Sequence, residues 1–351
     1  MLRKQYTYHP GNEIFPVGKV RGATALAASF CDDARMSMPL PRRRSLLRAL
    51  AISPLLAAAP FASSPAMAAD APLLKRTLPK TKVSLTAVGL GTWQSFDVAG
   101  EPAQRAEAVQ ALRRFAELGG ELVDSSPMYG SSEAVLGEAA EELNLHKKLF
   151  LATKVWTSGR TEGVRQMETS LRRMRVSLKG PLDLMQVHNL VDAKTHLATL
   201  RAWKREGRIR YLGITHYTAS AYADLERELK AGGIDFLQVN FSLAEREAGT
   251  RLLAAARDAG AAVLVNRPFA EGALFARVKG RALPAVAQDA GCASWAQFFL
   301  KWILARPEVT CVIPGTRNPL HVTDNLALLT SPLPDAALAA RMAAAFDAGT
   351  T

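Results

Sequence analysis

Four side chains in this sequence have the types and the spacing to move a proton: Asp124, Tyr129, Lys154 and His188. Three of them close apolar runs, which read Leu122-Val123-Asp124, Leu149-Phe150-Leu151-Ala152-Thr153-Lys154 and Leu184-Met185-Gln186-Val187-His188. Tyr129 follows Asp124 by five residues, in the loop Ser125-Ser126-Pro127-Met128-Tyr129-Gly130. A free phenol, with a pKa of about 10, is a poor acid at neutral pH. A lysine ammonium within hydrogen-bond reach lowers that value, and a carboxylate behind the lysine keeps it charged and oriented. A histidine on the next strand can donate to a substrate oxygen. Together the four make a device for protonating an oxyanion as it develops on a carbonyl. Such a device needs an electron source. The three cysteines, Cys31, Cys292 and Cys311, have no metal-ligand spacing, and no metal set is expected. A nicotinamide hydride donor is then the economical choice. Taken singly, Asp124 could cap its loop, His188 could be a satisfied core histidine, and Lys154 could pair locally.

The elements that must hold these residues alternate along the chain. Strands are expected at 86–90, 121–124, 149–154, 182–188, 209–214, 236–240, 262–266 and 310–314. Amphipathic helices are expected at 104–118, 132–143, 161–176, 193–206, 219–230, 246–259 and 293–305, with an alanine-rich helix at 335–346. Glycines at the helix-to-strand returns, such as Gly119-Gly120, Gly207 and Gly260, suit helix C-terminal caps. Eight strand–helix repeats predict an α/β (β/α)8 barrel. A doubly wound sheet would want a third glycine and a helix after Gly89-Leu90-Gly91, and 92–93 continue as Thr-Trp. In a barrel, active-site residues gather at the carboxyl ends of the strands. Asp124, Lys154, His188, Gln238 and Asn266 all stand at such ends. Phe298, Phe299 and Trp302 sit at helical spacing with Leu300 and Ile303 and are expected in the core.

The chain has 351 residues, 48% of them hydrophobic and 22% charged, enough to bury a core. Its formal charge of +12 is unevenly spread: residues 1–68 carry nine Lys/Arg against three Asp/Glu, and the remaining 283 carry 35 against 29. Half the excess lies in one fifth of the chain and the rest is scattered, so nucleic acid is not an expected partner. Arg42-Arg43-Arg44-Ser45-Leu46-Leu47-Arg48 opens an apolar stretch to Ala59 that ends in Ala66-Met67-Ala68. That pattern predicts a twin-arginine signal over 36–68, cleaved after Ala68, with 1–35 an upstream over-reading. The expected mature unit is a single barrel domain, 69–351, exported to the periplasm. Its contact with the twin-arginine export machinery would be transient. It has no apolar run long enough for stable membrane insertion and is expected to be a monomer.

From about residue 73 to 329 the sequence resembles the aldo/keto reductase family. The segments that carry the resemblance are Val88-Gly89-Leu90-Gly91-Thr92-Trp93, Asp124-Ser125-Ser126-Pro127-Met128-Tyr129-Gly130-Ser131-Ser132-Glu133, Ala152-Thr153-Lys154, Gln186-Val187-His188, Leu237-Gln238-Val239-Asn240 and Ile313-Pro314-Gly315-Thr316. The resemblance implies a catalytic tetrad: Tyr129 as general acid, Lys154 lowering its pKa, Asp124 holding Lys154, and His188 orienting the carbonyl. Hydride would pass from NADPH, favoured, or NADH, possible, to an aldehyde or ketone.

For the cofactor the resemblance implies Gln238 on the sixth strand and Thr215-His216 where the family usually has Ser-Asn. Asn266, followed by Arg267, stands where an aromatic usually stacks on nicotinamide. It also implies the segment Pro314, Gly315, Thr316 and Arg317, leading to His321 and Asn325, for the phosphates and the adenosine end. Gly315 and His321 replace the lysine and arginine common in NADPH-preferring members, leaving Arg317 to meet a 2′-phosphate. Trp93 and Trp156 would wall an apolar substrate cleft, and the short C-terminal tail implies an open pocket for a small-molecule carbonyl. Two other readings remain: a non-catalytic nicotinamide-binding module, and a Schiff-base aldolase that uses Lys154.

Overall fold

A strand covered on both faces has no polar alternation, and the runs closing on Asp124, Lys154 and His188 are of that kind. In the computed structural model, which describes residues 72–349, every residue of those strands is buried. The chain opens with β1 (Lys75–Thr77) and β2 (Ser84–Thr86), an antiparallel hairpin. Strand–helix units follow: β3 (Leu90–Gly91) and α1 (Pro102–Glu117), β4 (Leu122–Asp124) and α2 (Ser132–Glu142), β5 (Phe150–Val155) and α3 (Arg160–Arg173), β6 (Leu182–His188) and α4 (Ala193–Arg205). The second half has β7 (Ile209–Thr215) and α5 (Tyr222–Ala231), β8 (Phe236–Asn240) and α6 (Leu252–Ala259), then β9 (Ala262–Asn266) with α7 (Ala273–Arg277), α8 (Val286–Asp289) and α9 (Trp295–Leu304). It ends with β10 (Val309–Val312), α10 (Pro319–Ala327) and α11 (Ala336–Ala348).

Strands β3 to β10 pair in parallel and in sequence order. Backbone bonds from Gly89 N to Val312 O (2.8 Å), Val312 N to Ala87 O (3.0 Å) and Gly91 N to Pro314 O (3.0 Å) close the ring, so the architecture is the (β/α)8 barrel. Period-2 alternation puts Phe150, Ala152 and Lys154 on one face of β5, and Leu184, Gln186 and His188 on one face of β6. The apolar members of these rows pack together with Leu122, Phe236 and Leu264 inside the barrel. Leu78 and Leu85 of the hairpin join that cluster and cover the amino-terminal mouth. From the same hairpin, the Arg76 guanidinium donates to Leu304 O (2.6 Å) and Arg306 O (2.8 Å) and also bonds Val309 O. It thereby satisfies carbonyls left open at the end of α9.

The strand expected at 86–90 is divided. Thr86 ends β2 opposite Lys75, and 87–91 form the barrel staves. A Cβ on Gly89 would lie 2.8 Å from Leu122 O, and one on Gly91 2.8 Å from Ile313 O, so the chain passes here only without side chains. The helix expected at 246–259 is a 3₁₀ turn at Glu247–Gly249 followed by α6, because Arg251 leaves helical geometry at φ −143°. That at 161–176 stops at Arg173, before Arg175 turns left-handed at φ 52°. No helix was expected between 267 and 291, yet α7 and α8 lie there, packed through Leu274, Val278 and Val286 against Phe298, Phe299 and Phe346. Cys292 and Cys311 are free and buried. The expected leader, its cleavage point after Ala68 and Cys31 lie outside the described residues.

Candidate active site

The parallel register brings Asp124 beside Ala152, Lys154 beside Gln186, and His188 beside Thr215, so consecutive strands end at one rim. Lys154 is wholly buried there and makes three bonds: Nζ donates to Asp124 Oδ2 (2.6 Å), to Ser125 O (2.7 Å) and to Tyr129 OH (3.2 Å). The other carboxylate oxygen, Asp124 Oδ1, accepts from Gln186 Nε2 (3.0 Å) and Gln238 Nε2 (2.9 Å). Gln238 Nε2 also reaches Gln186 Oε1 (3.2 Å), and Thr215 Oγ1 donates to Gln238 Oε1 (3.3 Å). One continuous chain of polar contacts thus runs from Thr215 to the Tyr129 hydroxyl. His188 Nδ1 pairs with Ser126 Oγ at 3.0 Å, and its ring meets that of Tyr129 edge-on, 5.8 Å between centroids.

Burial sets the titration of these groups. It would lower Lys154, but the Asp124 carboxylate and Tyr129 outweigh it and hold the ammonium above its ordinary value. Burial of the phenol raises Tyr129, more than the neighbouring ammonium lowers it. Lys154 does lower the phenol as expected, but desolvation is the larger effect and the net displacement is upward. Burial, with the positive charge of Lys154 and with His216 nearby, holds His188 well below 6.5 and neutral. Next to Lys154 along β5, Thr153 Oγ1 donates to the buried carboxyl of Glu133 (2.6 Å) and ties β5 to α2.

Gln186 and Ser126 belong to this cluster and were not singled out from the sequence. Gln186 had a signal, since it stands two residues before His188 on the same strand face. Ser126 had none, because a loop serine's partner depends on the loop's path.

Of the residues expected to hold a cofactor, Thr215 and Gln238 belong to that network, and the others, along the rim from β7 to β10, are held differently. His216 is bent back on its own loop: Nδ1 accepts from Tyr217 N (3.0 Å) and Thr218 N (3.3 Å), and burial lowers its pKa. Asn266 Nδ2 reaches His216 O at 3.4 Å, while its Oδ1 is buried without a hydrogen-bond partner among the described residues. Arg267, left-handed at φ 50°, lies 3.4 Å from Glu245 and over the exposed ring of Tyr217.

Past β10, Pro314 and Gly315 run against Gly91, and Thr316 Oγ1 lies 3.3 Å from His321 Nδ1 and accepts from Asn318 N (3.0 Å). Asn318 caps α10 by accepting from Leu320 N, with Pro319 at the first helical position. His321 is exposed on that helix and Asn325 buried one turn on. Arg317 donates from Nε to Glu107 Oε2 of α1 (2.9 Å). Trp93 is exposed after β3, and Trp156 is half-buried after β5, clasped through its backbone by Gln166 (2.6 and 3.0 Å).

An eight-stranded parallel barrel carrying a buried Asp–Lys–Tyr relay and a neutral histidine at its carboxyl rim matches one family in the comparisons. The aldo/keto reductase family model covers residues 87–344, and the chain belongs to that family. It is therefore an oxidoreductase that works on carbonyl groups. Methylglyoxal reductase YeaE of Escherichia coli is 32% identical over 267 residues, spanning 73% of this chain and 90% of that protein. The NADH-specific methylglyoxal reductase of the same organism is 26% identical over 318 residues, spanning 75% and 95%. Among solved structures, an aldo/keto reductase from Klebsiella pneumoniae in complex with NADP and acetate superposes with a TM-score of 0.63. It is 25% identical and covers 76% of this chain and 93% of that one.

Proposed function

We propose that this protein reduces the carbonyl of a small aldehyde or ketone to an alcohol, with Tyr129 as the proton donor. The observation that carries the reading is the buried ammonium of Lys154, which touches both the Asp124 carboxylate and the Tyr129 hydroxyl. A reduced nicotinamide dinucleotide, when bound, supplies the hydride. As negative charge grows on the carbonyl oxygen, Tyr129 OH delivers its proton there, and Lys154 stabilises the phenolate left behind. Asp124 keeps Lys154 charged through this exchange. Neutral His188 gives the same oxygen a second hydrogen bond without adding a charge to the site.

Thr215, His216, Gln238, Asn266 and Arg267 would hold the nicotinamide half, and Pro314, Gly315, Thr316, Arg317, His321 and Asn325 the phosphate and adenosine end. The unpartnered, buried Asn266 Oδ1 supports a ligand there, because it leaves an acceptor for amide or hydroxyl donors. Arg317 favours NADPH, since a guanidinium meets a 2′-phosphate by paired hydrogen bonds. NADH remains usable because its 2′-hydroxyl needs no cationic partner. Trp93 and Trp156 would flank the substrate. Methylglyoxal and other 2-oxoaldehydes lead the substrate panel, because two relatives carry that activity in their names. We also propose that residues 36–68 direct twin-arginine export and that the mature barrel works in the periplasm; N-terminal sequencing of the exported protein should begin at Ala69.

The test follows NADPH and NADH oxidation by the purified protein with methylglyoxal, bulkier aldehydes and ketones, beside Tyr129→Phe. Turnover that Tyr129→Phe abolishes supports the proposal. Nucleotide binding without turnover of any carbonyl would return the non-catalytic reading, and a borohydride-trapped adduct on Lys154 the aldolase.

A further inference from the structure

The proposal above gives His188 a hydrogen bond to the substrate, and that requires a proton on the correct ring nitrogen. A neutral imidazole carries one proton and can hold it on either nitrogen. Nδ1 lies 3.0 Å from Ser126 Oγ, whereas Nε2 makes no hydrogen bond among the described residues and keeps some exposure. The serine decides between the two tautomers.

Ser126 is wholly buried, and its oxygen already receives the Met128 N–H at 3.4 Å. Among the described residues its hydroxyl proton has one acceptor within reach, His188 Nδ1. Were Nδ1 protonated, it would donate to Ser126 Oγ, and the serine proton would be left buried without an acceptor. Stranding a buried donor is worse than losing one exposed hydrogen bond, enough to bias the tautomers by roughly tenfold or more. The backbone holds both partners still: Tyr129 N donates to Ser126 O (3.0 Å), and Val191 N donates to His188 O (3.1 Å).

We infer that Ser126 is a positioning residue whose hydroxyl proton is committed to His188 Nδ1, locking the imidazole as the Nε2–H tautomer with its one N–H aimed at the substrate carbonyl. Its use in turnover rests on the proposed reductase activity; the lock itself does not.

The tautomer can be read directly from the ring nitrogen-15 shifts of the histidine-labelled protein, with the His188 signals assigned by loss in His188→Gln. In the wild type at neutral pH, Nδ1 should show an unprotonated shift and Nε2 a protonated one. Ser126→Ala, which removes only the hydroxyl, should average the two towards a mixture. Ser126→Cys, a weaker donor, should fall between them. The same Ser126→Ala variant should lose about tenfold in kcat/KM for carbonyl substrates, the worth of one neutral hydrogen bond. Its Kd for nucleotide should not change. A wild-type His188 protonated on Nδ1, or ring shifts unmoved in Ser126→Ala, would overturn the inference. A wild type that reduces no carbonyl yet shows the Nε2–H form would overturn the proposed activity and leave the lock standing.

Discussion

The two arcs of the barrel rim are finished to different degrees. From β4 to β6, the polar groups are satisfied inside the protein: Asp124 by Lys154, Gln186 and Gln238, Lys154 by two oxygens besides the carboxylate, and His188 by Ser126. On β7 and β8, Thr215 and Gln238 join that network, but past the strand ends from β7 to β10 the side chains are turned onto their own loops, as with His216, tied to carboxylates, as with Arg267 and Arg317, or left without a partner among the described residues, as with Asn266 Oδ1. A site that must present fixed donors to a transition state gains from being built in advance. A site that must take up and release a large ligand cannot have spent all its hydrogen bonds on itself. Under the proposed function, the arc from β4 to β6 would be the first kind, and the loops past β7 to β10 the second.

Substitutions on the two arcs should fail in different ways. Lys154→Met should do the most damage, lowering kcat by about a thousandfold, within the range a positioned acid contributes. It should also cost about 3 kcal/mol of stability by urea denaturation, the low end for a broken buried pair, because two amides still serve Asp124. A stable, active Lys154→Met would erase the contrast. On the other arc, Arg317→Ala should weaken NADPH binding by about tenfold, as expected for a lost charged hydrogen bond, and leave NADH and the folding midpoint unmoved. Equal weakening of both nucleotides would remove Arg317 from the 2′-phosphate. Glu107→Gln should act in the opposite sense. Freed of its exposed carboxylate, Arg317 should bind NADPH a few-fold more tightly, the modest scale of a surface ion pair. Titration by fluorescence would settle the sign.

The smallest expected effect is a flat line. His188 is already neutral because its pKa lies well below 6.5, so lowering the pH from about 8 to about 6 should leave reductive kcat/KM unchanged. Tyr129, shifted upward, keeps its proton until beyond its ordinary value of about 10, so activity should fall only on the alkaline side. A decline centred near 6.5 would mean that His188 titrates in the open.

Much of the first arc was legible in the sequence, and the reason is periodicity. Alternation along β5 and β6 puts an apolar residue at the base of each stave and a polar one at its top, so Lys154, His188 and Asp124 could be assigned to one rim before any coordinates. The eight barrel strands likewise followed from buried runs and glycine returns, whereas the β1–β2 hairpin did not. What could not be read depends on loop paths and on close packing. Ser126 acquires its partner only when 125–130 folds over β6. The split of 86–90 between hairpin and barrel comes from Gly89 and Gly91 fitting against neighbouring carbonyls, and the helices in 267–291 from contacts with α9 and α11. The net rise of Tyr129 is of the same kind, since two opposing effects both depend on depth.

The hairpin at the amino-terminal mouth constrains how the chain can be made. Arg76 binds carbonyls of residues 304–309, and Leu74 N donates to Leu329 O (2.7 Å). During synthesis, then, the hairpin emerges ahead of the barrel and its anchorage almost last. Contacts separated by more than 200 residues are slow to form, since much of the chain must be ordered before they hold. The early staves must wait with an uncovered base until the last quarter leaves the ribosome. That interval, rather than any weakness of the finished barrel, is where aggregation and proteolysis would find this protein most exposed.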